Sequence, residues 1–116
     1  MPFSNAQSCL RDILESIALI DEFLAGVDFL LYQNDAKTRS AVERQMQILS
    51  EAAVRLGSEA EALYPGPDWK GLRGMGNILR HQYHRVDDKV VWDTVEHDLP
   101  QLKIAAAKGL RPEPQG

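Results

Sequence analysis

Residues 35–57 read DAKTRSAVERQMQILSEAAVRLG. Within them Val42, Met46, Leu49, Ala53 and Leu56 recur at alternating steps of four and three, which places these apolar side chains on one stripe of an α-helix. A stripe of this kind is the seam of an antiparallel bundle. Asp35 or Asn34 stands where an N-cap belongs, offering a side-chain oxygen to the first unpaired backbone N–H groups. Gly57 suits the left-handed residue that closes a helix. The stretch therefore predicts one long helix that needs partner helices to cover its apolar side.

The flanking segments supply them. Leu10, Ile13, Leu14, Ile17, Ile20 and Leu24 share a second helical face, with a capping box from Ser4 and Gln7 placing its start near Asn5 and Gly26 as its stop. Val27 to Asn34 reads as a connection, with Phe29, Leu30 and Tyr32 turned toward the core. Ser58 and Glu61 read as another capping box, opening a short helix that reaches Tyr64 before the Pro65-Gly66-Pro67 turn. Asp68 then caps a helix from Trp69 to about Tyr83. That helix carries Gly71, Gly74 and Gly76, each costing roughly 1 kcal/mol relative to alanine, and close approach of another helix is the compensating use. Asp87 or Asp88 caps a last helix with Val91, Trp92, Val95, Leu99 and Leu102 inside, which Pro100 is expected to kink or end early. Strand-like alternation, internal repeats and low-complexity blocks are absent from the sequence. The expected fold is all-α, a four- to five-helix up-and-down bundle over residues 1–109 with a disordered tail at 110–116.

Composition bounds the function. A chain of 116 residues, 44% hydrophobic and 26% charged, is enough for one folded core. A single cysteine, Cys9, cannot form an intrachain disulfide and points to a reducing compartment, so a cytoplasmic location is expected. No apolar run approaches the roughly 18 residues of a membrane span, and the N-terminus lacks the pattern of a signal peptide. The net charge of −4 argues on its face against a nucleic-acid partner. Between Trp69 and Lys89, however, five basic residues face only Asp87 and Asp88, a local net of +3. With −4 in total, the remainder of the chain carries −7.

The same segment holds His81 and His84. Arg73, Asn77, Arg80 and His84 follow at steps of four, three and four, and His81 lies four after Asn77, so they share one broad helix face. Arginine and lysine neutralise phosphates, and imidazole is the side chain best matched to proton transfer near neutrality. Tyr83 offers a hydroxyl near the same rim. The plain alternative is a solvated basic face paired with acidic neighbours. Trp69 and Trp92 read as packing anchors, Glu51 and Arg55 as a surface i,i+4 pair, and Cys9 as inert. Glu96, His97 and Asp98 point to different helix faces, so no metal site is expected; a Gly-rich phosphate loop, HExxH and CxxC are also missing.

The run WKGLRGMGNILRHQYHRVD, Trp69 to Asp87, resembles the signature of HepT-like proteins in the HEPN superfamily. Glu51 to Ala53, Tyr64-Pro65, Val91 to Asp93 and Asp98 to Pro100 agree with it, and the similarity covers residues 8 to 104. The resemblance implies a small helical bundle that forms homodimers and acts as a metal-independent endoribonuclease toxin, with no cofactor. It implies as antitoxin a minimal nucleotidyltransferase able to transfer AMP to a tyrosine. Carried onto this chain, His81 is the catalytic histidine and Tyr83 the residue for modification, with Asn77 beside them and Lys70, Arg73, His84 and Arg85 as RNA contacts. The family motif places an arginine before the histidine with four to six residues between them, usually immediately before the asparagine. Directly before Asn77 this chain has Gly76, and Arg73 lies with seven residues between it and His81. Arg80 falls one helical step after Gly76, and helical side chains lean toward the N-terminus, so Arg80 is expected to fill the arginine role. The alternative is a catalytically impaired helical module that binds a nucleotidyltransferase or its substrate.

Overall fold

The long stripe of residues 35–57 forms helix α3, Ala36–Leu56, in the computed structural model, which describes residues 5–81 and 86–112. Before it come α1 (Asn5–Phe23) and the short α2 (Phe29–Asn34); after it come the single turn α4 (Ala60–Leu63), α5 (Trp69–His81), α6 (Asp88–Asp93) and α7 (Leu99–Gly109). A π-helical stretch, Thr94–Asp98, joins α6 to α7 without a break. Among the described residues there is no strand.

The ends of α3 form as the sequence predicts. Asp35 is the cap: its carboxylate accepts from the backbone N–H groups of Lys37 (3.2 Å) and Thr38 (3.3 Å) and from the Thr38 hydroxyl (2.7 Å). Those bonds, the Thr38 hydroxyl first, hold the Asp35 carboxyl below the usual carboxylate range. Gly57 closes the helix at φ +76°, a conformation that costs glycine nothing.

Long-range contacts give the up-and-down order. Asp12, near the start of α1, pairs with Arg55, near the end of α3, at 2.9 Å. Gln7 donates to the Gly109 carbonyl (2.9 Å) and accepts from the Arg111 N–H (2.7 Å), joining the start of α1 to the end of α7. Arg73 of α5 reaches back to the Gly57 carbonyl at 3.4 Å. Each neighbouring pair is thus antiparallel, and the four rods are α1, α3, α5 and the compound α6–α7. Between them Leu10, Ile13, Ile17, Ile20, Val42, Met46, Leu49, Leu72, Val91 and Leu102 are buried, each worth on the order of 2 kcal/mol. Trp69 is also buried, its indole N–H donating to the Tyr64 carbonyl at 2.8 Å. No helix is long and apolar enough to cross a membrane among the described residues.

Several sequence expectations change. Residues 29–34 are a helix rather than a connection, because Asp28 caps it through the Leu31 N–H at 2.9 Å. The helix turns Tyr32 inward and leaves Leu30 66% exposed. The Ser58–Glu61 capping box does not close as read, since α4 has no side-chain cap and Glu61 is spent on Arg73. The first box rests on Ser4, which lies outside the described residues, and its Gln7 also reaches the C-terminal segment. Arg55 pairs with Asp12 across the α1–α3 boundary rather than with Glu51. Pro100 does not end the last helix. It sits in the first turn of α7, directly after the π-helical stretch, whose wider winding accommodates a residue with no N–H to donate. The tail is anchored further than expected: Leu110 packs on the core and Arg111 bonds Gln7, and Glu113–Gly116 lie outside the described residues.

Candidate active site

Asp68 caps α5 as predicted, accepting from the Gly71 N–H at 3.0 Å. The three glycines that follow have three different surroundings. A methyl group at Gly71 would meet the Asp68 cap itself, and one at Gly74 would meet open space. Gly76 is buried, and a Cβ there would lie 2.8 Å from Cβ of Ser50 on α3. Gly76 therefore sets how closely α3 and α5 approach, and a longer side chain at this position has no volume to enter. Close approach is a property of that one position rather than of all three.

The opposite side of α5 is polar and open. Lys70, Asn77, Arg80 and His81 are exposed, and Lys70, Gly74, Asn77 and His81 follow at steps of four, three and four, a single solvent-facing stripe. Arg80 lies at the edge of this stripe, one residue from His81 and one turn beyond Gly76. The structure thus brings Asn77, Arg80 and His81 together on the last turn of the described helix. Tyr83, His84 and Arg85 lie outside the described residues.

Arg73 differs from the others. Its guanidinium grips the Glu61 carboxylate with both terminal nitrogens, one at 3.2 Å, and also donates to the Gly57 carbonyl. This fork ties the first half of α5 to the α3–α4 corner, and it holds the Glu61 carboxyl below its ordinary range, chiefly by direct hydrogen bonding. Sequence reading grouped Arg73 with the free cations and gave Glu61 to a cap. The signal that separates them is the turn at Gly57, which brings α4 back beside α5.

Residues at the other acidic segment do different work. Burial pushes the Asp98 carboxyl above its ordinary value, with the Asp68 carboxylate adding to the rise and His97 opposing it. No group of three or more histidine, cysteine or acidic side chains is placed to hold a metal among the described residues. One residue important to the site's geometry carried no sequence signal: Ser50, a buried polar residue beside the apolar stripe of α3, against which Gly76 packs.

Comparison with known proteins gives a consistent result. The family model described as Ribonuclease HepT-like matches residues 13–108. A protein of Thermococcus cleftensis named "Probable ribonuclease HepT" is 38% identical over 94 residues, covering 81% of this chain and 86% of that protein. A Methanocaldococcus jannaschii protein named "Putative RNase MJ1380" is 32% identical over 99 residues, covering 85% and 91% respectively. Another from the same organism, "Putative RNase MJ1216", is 31% identical over 103 residues, covering 89% and 85%. No solved structure shows significant similarity.

Proposed function

The chain belongs to the HepT-like ribonuclease family, and from that premise we propose that it is a metal-independent endoribonuclease acting through the exposed turn Asn77–His81. The observation that carries this reading is the grouping of an amide, a guanidinium and an imidazole on one open helix face of an otherwise acidic molecule.

RNA brings its own nucleophile. The 2′-hydroxyl oxygen attacks the adjacent phosphorus as His81 takes its proton; the P–O2′ bond forms and the P–O5′ bond breaks. The departing 5′ oxygen collects a proton from a general acid, leaving a 2′,3′-cyclic phosphate and a 5′-hydroxyl. A second copy of the chain, with its own His81 facing the first, supplies that acid in a homodimer. Arg80 stabilises charge on the pentacoordinate phosphorus, and Asn77 orients the imidazole or a phosphate oxygen. Lys70, Arg73, His84 and Arg85 extend the cationic track along the RNA, Arg73 while remaining joined to Glu61.

In this reading the protein is the toxin of a toxin–antitoxin pair in the cytoplasm. A minimal nucleotidyltransferase silences it by placing AMP on Tyr83, where bulk and negative charge close the groove beside His81. Gly76 favours one alternative, a helical module that binds the nucleotidyltransferase without cutting RNA.

The deciding experiment incubates purified protein with end-labelled RNA in excess EDTA. Cleavage with 2′,3′-cyclic phosphate ends is expected, together with a mass gain of one AMP on Tyr83 when the nucleotidyltransferase and ATP are present. Cleavage that depends on added magnesium contradicts the mechanism. Absence of cleavage with retained nucleotidyltransferase binding selects the module reading.

A further inference from the structure

A cleft of about 430 Å³ opens between α2 and the start of α6, lined by Phe29, Gln33, Val86, Asp87, Asp88 and Lys89. The volume falls in the range of small-molecule sites. Its aromatic floor is Phe29, whose ring is backed by that of Trp92 at 5.7 Å, with the buried Tyr32 ring 5.4 Å from Trp92 on the core side. Its walls are braced. Arg39 of α3 bonds the Gln33 carbonyl on one side, and its Nε lies 3.8 Å from the buried Asp88 carboxylate on the other. Its mouth carries the exposed Lys89, whose ammonium sits 5.3 Å from the Phe29 ring centroid and 3.0 Å from Asp93.

The position relates the cleft to the catalytic turn. Val86 follows His81 by five residues, so the two α-carbons are separated by at most about 18 Å. A strand of RNA only a few nucleotides long spans that gap. The donors and acceptors also select a ligand. The Phe29 ring takes the flat face of a base, and a lysine takes the phosphate joined to it. The Asp87 carboxylate at the rim accepts from an exocyclic amine, whereas the one edge donor of uracil, N3–H, is flanked by two carbonyl oxygens that a carboxylate oxygen disfavours. Asp87, although its Oδ1 caps the Lys89 N–H at 2.9 Å, keeps a second oxygen for a base edge.

We infer that this cleft is a nucleobase subsite of the RNA strand cut at His81, one that holds a base bearing an exocyclic amine in preference to uracil. Entry of the base lifts Lys89 from the Phe29 ring and from its exposed pair with Asp93 to the neighbouring phosphate, exchanging a cation–π contact and a surface ion pair for a phosphate ion pair. The inference rests on the ribonuclease reading for its substrate and adds to it a specificity site remote from the reacting bond.

The test uses uncleavable 2′-O-methyl hexamers of A, of C and of U, titrated into full-length protein while the Trp92 indole N–H is followed by NMR, its signal assigned with Trp92→Phe. The A and C hexamers are expected to shift this signal and to bind more tightly than the U hexamer. Phe29→Leu, which keeps the floor filled with apolar atoms, should weaken the A hexamer roughly 5- to 100-fold, the range that base–aromatic stacking commands. Lys89→Gln, a surface change, should lower the slope of log affinity against log salt by about one. Equal affinity for all three hexamers, an unmoved Trp92 signal, no binding at all, or indifference to both substitutions overturns the inference. Cleavage of unmodified RNA is measured in parallel. Cutting with a silent Trp92 removes the subsite and leaves the ribonuclease, whereas a responsive Trp92 without cutting removes the ribonuclease and leaves the subsite.

Discussion

His81→Ala is expected to lower the single-turnover rate of RNA cleavage by about a hundred- to ten-thousandfold, the contribution of a positioned proton-transfer group. The imidazole is exposed at the end of the described part of α5, away from the buried cluster that holds the helix against α3. Its removal should therefore leave the melting curve unchanged to within about 0.5 kcal/mol. The two measurements have to be read together. A lost rate with an intact fold assigns the proton transfer to His81, while an unaltered rate removes it from the mechanism. In a mixed dimer, a partner carrying an intact His81 should not restore full activity, because acid and base come from different copies.

Gly76→Arg should destabilise the fold by about 3 kcal/mol or more, since it combines overpacking with a charge forced into a closed interface. The contact responsible is the 2.8 Å approach between a Cβ at position 76 and that of Ser50. Gly76→Ala isolates the steric part. Alanine gains roughly 1 kcal/mol of helix propensity, so a net loss measured by denaturant melting reports the clash directly. Ser50→Gly removes the opposing carbon, and the double variant Ser50→Gly, Gly76→Ala should recover most of the lost stability. Wild-type stability for Gly76→Arg would mean that the α3–α5 boundary has room for the arginine, and the reason for placing its role elsewhere would disappear.

The sequence carried the bundle and the reactive turn unevenly. Apolar residues at steps of three and four specify α1, α3 and the last helix because a buried stripe is a local, repeating property. Asp35, Asp68 and Asp87 were readable as caps for the same reason: the donor groups they satisfy lie two or three residues away. The six-residue α2 is too short for a period to show, and its Asp28 cap looks like any loop aspartate. Arg73 and Glu61 are separated by eleven intervening residues, and nothing in the chain pattern announces that the Gly57 turn makes them neighbours. The same limit applies to the cleft, whose Phe29 and Lys89 meet only through the packing of α2 on α6. Asn77, Arg80 and His81 were legible as a group because one helix face brings them together, whereas the difference between Gly76 and Gly74 depends on Ser50 of another helix.

That difference bears on the central claim, that Arg80 supplies the positive charge for which position 76 has no space. It is tested most directly by the single-turnover cleavage rate of Arg80→Ala in EDTA, measured beside Arg80→Lys and with the melting curve of each variant. The expected result is a loss of roughly a hundred- to a thousandfold for alanine, the range for removing one donor to a developing oxyanion. Lysine should recover part of the rate, because it restores the charge without the planar fork. A rate for Arg80→Ala within about twofold of the unaltered protein, with the fold intact, would contradict the assignment.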